Sequence, residues 1–185
     1  MKPVAKWLAS LCARILVFPA ACIAGFGKRQ EGYTLCAQAL AQSPGIIGSY
    51  LRVAFYRYTL EGVGPDCRIS IGSYFAHPAA SLGPRVGIGS YCVLGSVDIG
   101  EGTQLASHVQ ILSGMKQHLR DSSGNLTDEG RVFKRISIGP QCWIGSGAII
   151  GADVGAKATV GAGAVVTQEV PPGVTVTGNP ARKKE

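Results

Sequence analysis

Three histidines are the side chains of this sequence whose ordinary pKa lies near neutrality, namely His77, His108 and His118. An imidazole that titrates near a pH of about 6.5 can remove a proton from a hydroxyl group while that oxygen attacks an electrophile. His118 lies in a long polar segment, so taken alone it is either a solvated loop residue or a general base. We interpret His77 as structural.

Six cysteines are the other candidate reactive groups, and they are Cys12, Cys22, Cys36, Cys67, Cys92 and Cys142. No pair has the CxxC spacing that is typical of metal sites and redox-active dithiols. A chain of 185 residues that is 46% hydrophobic can build a core without disulfides. We therefore predict reduced thiols in a cytosolic protein, with Cys92 and Cys142 filling the core rather than acting as nucleophiles.

A repeat with a usual spacing of six residues must position these groups. It consists of an aliphatic residue followed by Gly, and it occurs at Ile71-Gly72, Leu82-Gly83, Ile88-Gly89, Leu94-Gly95, Ile99-Gly100, Ile138-Gly139, Ile144-Gly145, Ile150-Gly151, Val154-Gly155 and Val160-Gly161. A period of six fits neither an amphipathic helix nor strand alternation, and it is typical of a parallel β-helix. The aliphatic residue is expected to point inward, and the Gly to permit a sharp corner and a close backbone approach.

A second inward position is predicted four residues after the aliphatic one. It holds small or β-branched residues, which are Cys92, Thr103, Val109, Cys142, Ala148, Ala158 and Ala164. Such side chains suit the narrow interior of a triangular prism.

The remaining segments interrupt or flank the repeat. Residues 47–60 predict an amphipathic helix that covers the open end of the prism. We divide the chain into an N-terminal helical segment (1–62), the β-helix (63–170) with an extruded loop (112–135), and a C-terminal tail (171–185). Loops of this length inside a compact domain are usually functional.

The apolar N-terminal stretch, residues 1–27, has several interpretations. Its longest uncharged run, 15–27, is shorter than the about 20 residues needed to span a bilayer. Arg14 interrupts the apolar core that a signal peptide would need. We favour a helix that packs on the body or on a neighbouring subunit, with peripheral contact to a membrane surface as the alternative.

The C-terminal repeats carry the most specific resemblance. The sequence ISIGPQCWIGSGAIIG begins at Ile136, VGAKATVGAGAVVTQEVPPG follows, and GNPAR comes shortly after it. This block resembles the hexapeptide-repeat acyltransferases, particularly the xenobiotic, galactoside and colanic-acid-type O-acetyltransferases. Residues 63–111 match more loosely. The resemblance implies an all-β fold, a left-handed parallel β-helix with N-terminal helices, and association into homotrimers.

The resemblance also implies a reaction and the residues that carry it. Members of this family transfer an acyl group from acyl-CoA directly to a hydroxyl, and a His of the extruded loop is the general base. By motif that His falls at or near His118, although the usual position is about two residues earlier in the loop. His108 stands where several relatives carry an acceptor-binding Asn. Asp121 is a second candidate for the acceptor site and, with Asp98, Asp128 and Glu129, for orienting the base.

The same resemblance places acetyl-CoA along the C-terminal coils, with no metal expected. The implied cofactor contacts are Trp143, Ser146, Gly147, Ala164, Thr167, Arg182 and Lys183. The two basic residues would meet the phosphates, whereas Lys184 is interpreted as part of a solvated tail. The acceptor is expected to be a small molecule or a glycan precursor, in a cytoplasmic enzyme of polysaccharide biosynthesis that is either free or peripheral at the inner membrane face.

Two other function classes remain open on the sequence. A metal-dependent enzyme like the γ-class carbonic anhydrases needs three zinc-ligand histidines, and the usual close pair is absent here. A non-catalytic β-helix scaffold would bind a partner through the basic N-terminal region. The formal net charge of +7 favours anionic partners, but the basic residues are scattered and no nucleic-acid recognition motif is present.

Overall fold

Parallel strands of two or three residues wind into a β-helix of about six coils. The computed structural model describes residues 3–114, 119–127 and 133–184. Each of the first four coils contributes one strand to each of three sheets, and strands of successive coils pair side by side. The prediction of a parallel β-helix with N-terminal helices is confirmed, and its left-handed winding stays a prediction from the resemblance.

The strands divide among the three sheets as follows. Sheet A contains β1 (Gly62–Val63), β4 (Ala80–Leu82), β7 (Val97–Ile99) and β12 (Ile136–Ile138). Sheet B contains β2 (Arg68–Ile69), β5 (Gly87–Ile88), β8 (Gln104–Leu105), β13 (Trp143–Ile144), β15 (Thr159–Val160) and β17 (Thr175–Thr177), with β18 (Arg182–Lys183) antiparallel at its edge. Sheet C contains β3 (Tyr74–Phe75), β6 (Val93–Leu94), β9 (Gln110–Ile111), β14 (Ile149–Ile150) and β16 (Val165–Val166). Within the extruded loop, β10 (Leu119–Arg120) and β11 (Leu126–Thr127) form a hairpin.

The last coil extends into the segment that we assigned to the tail. Single bridges join Ile138 to Val154 and Val154 to Val170, which continues sheet A past its last strand. β17 then pairs with β15 in sheet B, and β18 folds back against β17. Residues 171–177 therefore belong to the stacked coils, and the chain end lies along their final edge.

Inward side chains form the core, as the repeat predicts. The second inward position is fully or almost fully buried at all seven predicted residues. One phase assignment is wrong: Ile69, not Ile71, fills the inward position of the first coil, where it pairs in register with Ile88. The left-handed backbone position of that coil is Gly72, so Ile71 lies on the corner and remains partly exposed.

The corners between sheets A and B and between sheets B and C have a left-handed residue directly before the second inward position. This residue is Gly at some corners, but elsewhere it is Asp66, Arg85, Tyr91, His108, Gln141 or Lys157, with φ between 56° and 61°. Non-Gly residues rarely adopt such angles, so the hydrogen bonds of the stacked coils must hold them there. The Gly after the aliphatic residue has a different role: a Cβ on Gly145 would lie 2.4 Å from the backbone nitrogen of Ala162.

Polar inward residues bond to the backbone of the next coil. The Thr103 hydroxyl donates to the Gly139 carbonyl (2.7 Å) and accepts from the Cys142 N–H (3.0 Å). The Cys142 thiol donates to the Gly155 carbonyl (3.0 Å), and burial raises the pKa of this thiol and of the Cys92 thiol. A thiol with a raised pKa is a poor nucleophile, in agreement with a structural role for both cysteines.

Three helices precede the first coil. They are α1 (Pro3–Ile23), α2 (Gln30–Ala41) and α3 (Gly45–Thr59), and a single 3-10 turn (Gly25–Gly27) joins the first two. The predicted helix 47–60 is confirmed as α3, which begins two residues earlier. α3 packs on β1 and β2 and covers the exposed end of the prism. Its Tyr56 hydroxyl accepts a hydrogen bond from the Phe75 N–H (3.2 Å).

Arg52 of α3 is the most deeply buried charged side chain among the residues that the structure describes. Its Nε donates to the Ile69 carbonyl (3.0 Å), and its Nη1 donates to the carbonyls of Ser43 (2.7 Å) and Leu40 (3.1 Å). The last two carbonyls lie at the C-terminal end of α2, where the helix dipole favours a cation. Burial lowers the pKa of Arg52, but a guanidinium stays charged at neutral pH. One side chain thus joins two helices to the first coil.

α1 differs from the sequence-based expectation in length. By length and composition alone, Val4–Ile23 is long and apolar enough to cross a membrane, because Lys6 and Arg14 do not lower its mean hydropathy below 1.5. The helix nevertheless packs along α3, and its buried residues are Ala13, Val17 and Ala21. The expected helix on the body is present, and most of its surface is exposed.

Replacing Arg52 by Met tests the role of this buried guanidinium. The Arg52→Met variant leaves four backbone carbonyls without this donor, and we expect a loss of about 3 kcal/mol in the free energy of unfolding. Arg57→Met, an exposed position on the same helix, is the control and should cost less than about 1 kcal/mol. Equal losses in denaturant titrations of the two variants would contradict the assigned role.

Candidate functional site

The extruded loop leaves the prism at the corner between sheets C and A, which we call the third corner. It starts after β9 and returns at β12, so its two ends lie side by side. The Lys134 N–H donates to the Ser113 carbonyl (2.9 Å), and the buried Ser113 hydroxyl accepts from the Ser96 N–H (3.0 Å). These bonds fix the base of the loop on the second and third coils.

Arg135 is the main charged residue at this base. Its Nη1 donates to Glu61 (2.8 Å) and its Nη2 to Asp98 (2.6 Å), which also accepts a short hydrogen bond from the Ser81 hydroxyl. Partial burial disfavours the charged guanidinium, but hydrogen bonds to Glu61 and Asp98 raise its pKa overall. Arg135 thus joins the returning end of the loop to the first coil through Glu61 and to the third coil through Asp98.

An open cavity of about 360 Å³ lies beside this ion pair. Its wall includes His77, Ser96, Phe133 and Arg135, and the His77 ring packs against the Phe133 ring at 5.1 Å. His77, interpreted from the sequence as structural, lines the cavity at the loop base with its imidazole. Counting hexads from Ile69 instead of Ile71 would have placed His77 at the third corner, in line with the extruded loop.

His118, the predicted base, lies outside the described residues, as do Asp128 and Glu129. Two candidate carboxylates for orienting the base have other partners. Asp98 is bound by Arg135 and Ser81. Asp121 accepts from the N–H groups of Asn125 and Ser123 (both 2.9 Å), and hydrogen bonds from Asn125 first and Ser123 next lower its pKa. The Asp121 carboxylate therefore holds the turn of the loop hairpin.

His108 lies at a different corner, between sheets B and C, which we call the second corner. Its ring stacks on the ring of Tyr91 from the preceding coil, with centroids 5.4 Å apart and planes at 13°. Both residues have left-handed backbone angles, and both side chains are exposed. Five residues of nearly extended chain separate His108 from Ser113, about 16 Å, so one chain does not bring His108 to the loop base.

The predicted cofactor residues occupy three places on the last coils. Trp143 is half exposed on the outer face of sheet B, in register with Gln104 and Thr159. Ser146 and Gly147 lie at the second corner, where nothing lies within 4 Å of a Cβ added to Gly147. Thr167 follows β16 at the third corner, and it is exposed.

Ala164 differs from the other predicted contacts. Its side chain is fully buried, its N–H donates to the Gly161 carbonyl (3.2 Å), and its own carbonyl accepts from the Ile149 N–H (2.9 Å). The backbone N–H and carbonyl of Ala164 therefore already have hydrogen-bond partners within the prism.

The tail strand β18 borders a second cavity, of about 420 Å³. Its apolar wall comes from the last coil and includes Val170 and Pro171, and its basic residues are Arg182 and Lys183. β18 and β13 are three strands apart in sheet B, about 14 Å at the usual strand spacing. An extended ligand on this face could contact Trp143 at one end and the basic tail at the other.

Comparison with known proteins supports the assignment of repeat and fold. Residues 135–168 match the family described as the hexapeptide repeat of succinyl-transferase. This part of the chain is a hexapeptide repeat. No curated protein matches the chain by sequence.

Solved structures match over most of the chain. A maltose O-acetyltransferase from Clostridium difficile 630 has a TM-score of 0.70 at 24% identity, covering 89% of each chain. A hexapeptide-repeat-containing acetyltransferase from Vibrio cholerae has a TM-score of 0.69 at 22% identity, covering 88% of this chain and 91% of its own. A galactoside acetyltransferase in complex with coenzyme A gives 0.67 at 20% identity, covering 85% and 82%. The resemblance seen in the sequence is thereby confirmed for the repeat and for the fold.

Metal-ligating side chains do not gather in the described part of the chain. Across residues 3–114, 119–127 and 133–184, no group of three His, Cys, Asp or Glu side chains could hold a metal ion. His77 lies at the third corner and His108 at the second, so these two imidazoles do not converge within one chain.

Replacing Arg135 by Met tests whether this residue anchors the loop. The Arg135→Met variant loses both ion pairs, and because the guanidinium is partly exposed we expect only about 1 kcal/mol less stability. The local effect should be larger, with faster amide exchange at residues 133–136. Lys134→Met is the matched control because its own ion pair with Asp153 is long, at 3.4 Å. Unchanged exchange in Arg135→Met would show that other contacts hold the loop.

Proposed function

We propose that the chain transfers an acyl group, most simply acetyl, from coenzyme A to a hydroxyl of a sugar or glycan precursor. The observation that carries this proposal is a fold shared with a maltose O-acetyltransferase and a galactoside acetyltransferase over 89% and 85% of this chain. The Vibrio cholerae protein has been solved with acetyl coenzyme A and the galactoside enzyme with coenzyme A. The named acceptors of the neighbours, maltose and galactosides, favour a hydroxyl acceptor here.

The donor would lie along the outer face of the last coils. Trp143 offers an exposed ring against which an extended pantetheine arm can pack, and the open corner at Gly147 permits close approach of a ligand to the backbone. Arg182 and Lys183 supply positive charge for the phosphates. Thr167 and Ser146 complete this proposed donor contact set, in which Ala164 contributes packing rather than hydrogen bonds.

His118 is the proposed general base. The acceptor oxygen would form a bond to the thioester carbonyl carbon while the imidazole takes its proton, which gives a tetrahedral oxyanion. Collapse of this intermediate would break the carbon–sulfur bond, and the imidazolium would return the proton to the leaving thiolate. The reaction needs no acyl-enzyme, which agrees with the buried state of Cys92 and Cys142.

A homotrimer would complete the site. Within one chain, His108 at the second corner and the loop base at the third corner are about 16 Å apart. In a parallel trimer, the second corner of one protomer can face the third corner of its neighbour. The Tyr91–His108 stack would then present a flat aromatic surface and a hydrogen-bonding nitrogen to an acceptor held opposite His118.

Three single histidine variants test the base. With acetyl-CoA and a panel of sugar acceptors, release of free coenzyme A thiol is measured for His118→Ala, His108→Ala and His77→Ala. We expect His118→Ala to lower kcat by about 10²–10⁴-fold, which is the usual contribution of a general base. His108→Ala should mainly raise KM for the acceptor. A large loss of kcat in His77→Ala with an active His118→Ala would move the base to the loop-base cavity, and no turnover with any acceptor would refute the proposal.

The tail residues make a sharper test of the donor site. Arg182→Ala/Lys183→Ala should raise KM for acetyl-CoA by about tenfold with little change in kcat, because these residues bind the ground state and transition state alike. Lys184→Ala is the matched control and should leave KM unchanged. If the tail meets the 3′-phosphate, 3′-dephospho-acetyl-CoA should show a smaller difference between wild type and the double variant. An equal KM for all three proteins would exclude a donor role for the tail.

A further inference from the structure

α1 presents its large apolar side chains to the outside and its small ones to the body. The buried or partly buried stripe consists of Ala9, Ser10, Ala13, Val17, Ala20 and Ala21. The exposed apolar residues are larger, and they are Val4, Trp7, Leu8, Leu11, Ile15, Leu16, Phe18 and Ile23. This arrangement is the inverse of an ordinary surface helix, whose large apolar side chains face the core.

The exposed apolar residues form one continuous face, which we call the outer face of α1. At about 100° per residue, Leu11 and Ile15 lie roughly half a turn away from Ala13 and Val17. Lys6 and Arg14 are the only charged residues of α1, and both are exposed side chains that contact the body. Lys6 lies 3.9 Å from Asp66, and Arg14 lies over the Tyr58 ring at 5.6 Å. The outer face is therefore uncharged along a helix of 21 residues, about 30 Å.

Contacts at regular intervals hold α1 against the body. Besides Lys6 and Arg14, the Ser10 hydroxyl accepts from Arg57 of α3 (3.3 Å). Phe18 packs edge-on against Tyr58 of α3 at 5.9 Å and against Phe26 at 6.1 Å. Successive members of this set are four residues apart in the sequence: Lys6, Ser10, Arg14 and Phe18. Contacts to the body therefore run from the first turns of the helix to its last. A helix held in this way can lie on a membrane but cannot span one without losing these contacts.

Positive charge flanks the outer face. Lys2 precedes α1, and the exposed Lys28 and Arg29 follow it. Residues 1–30 contain no Asp or Glu, and the first acidic residue is Glu31. Basic residues near an apolar helix face favour anionic lipid headgroups, and Trp7 and Phe18 are of the kind that inserts at the headgroup boundary. Both charge and apolarity thus complement an anionic bilayer surface.

We propose that the outer face of α1 docks the protein on an anionic membrane surface, with the helix lying in the plane of the membrane. The apolar side chains would enter the headgroup–acyl boundary while α3 and the prism remain in water. This inference does not depend on acyl transfer, because it rests on exposed surface and charge at the N-terminal helix.

Vesicle flotation with the full chain tests this proposal. The probe is a vesicle of phosphatidylcholine with about a third phosphatidylglycerol, compared with phosphatidylcholine alone, at low and high salt. We expect wild type to float with the anionic vesicles, to float less with neutral ones, and to lose binding as salt screens the basic residues. Absence of wild-type binding to anionic vesicles would overturn the proposal.

Two leucine or isoleucine positions with the same exposed fraction supply matched variants. Ile15 on the outer face and Leu126 in the loop hairpin are both 66% exposed. Ile15→Gln should weaken vesicle binding at least about fivefold, whereas Leu126→Gln should leave it unchanged. Neither substitution should shift the thermal unfolding midpoint, because neither side chain is buried. Equal vesicle binding by the two variants would overturn the assignment of the outer face.

Two further outcomes would overturn docking in the membrane plane. If Ile15→Gln lowers the oligomeric state in light scattering, the outer face is an interface between copies of this chain. If membrane-bound wild type resists extraction by alkaline carbonate, α1 spans the bilayer. Release by carbonate together with an unchanged oligomeric state supports docking in the membrane plane.

Discussion

Coils stacked at the strand spacing leave room for few side chains inside a triangular prism. The inward positions therefore hold one aliphatic residue and one small residue for each side, as Ile144 and Cys142 illustrate. Where the small residue is polar, as at Thr103, its hydroxyl bonds to the backbone of the next coil. At two of the three corners of the prism a left-handed residue precedes the small inward position, even where that residue is His108 or Tyr91. The unusual backbone angle of His108 is thus a property of the corner rather than a sign of chemistry.

The corners then decide where function can be placed. The backbone hydrogen bonds of the strands lie within the sheets, and the corners are the places where the chain can extend into a loop. The second corner carries the exposed Tyr91–His108 stack, and the third carries the long loop with His77, Phe133 and Arg135 at its base. A strand holds different corners of one chain apart, and the proposed homotrimer would bring the second corner of one protomer to the third corner of its neighbour.

The N-terminal helices solve the problem that the first coil creates. An uncovered first coil would leave unpaired strand edges, and α3 covers them through Arg52, Ser49 and Tyr56, which bond to the backbone of the first coil. Arg52 donates its hydrogen bonds to backbone carbonyls, and those at the C-terminal end of α2 stabilise its charge. This arrangement lets α1 bury only small residues against α3, which leaves its large apolar side chains outside.

The sequence by itself determined the β-helix, because its six-residue repeat shows which side chains point into a narrow interior and which point outside. It determined the inward cysteines, the helix over 47–60, the position of the extruded loop and the resemblance to acyltransferases. Only the tertiary structure decided that Ile69 rather than Ile71 faces inward, since a shift at a corner changes the phase without changing composition. The tertiary structure also brought His77 to Phe133 and Arg135 to Glu61, because contacts between residues 50 or more positions apart leave no periodic signal. Composition showed that α1 is apolar, but which half of the helix meets the body depends on the close packing of Ala13 and Val17 against α3, and only the folded chain fixes that contact.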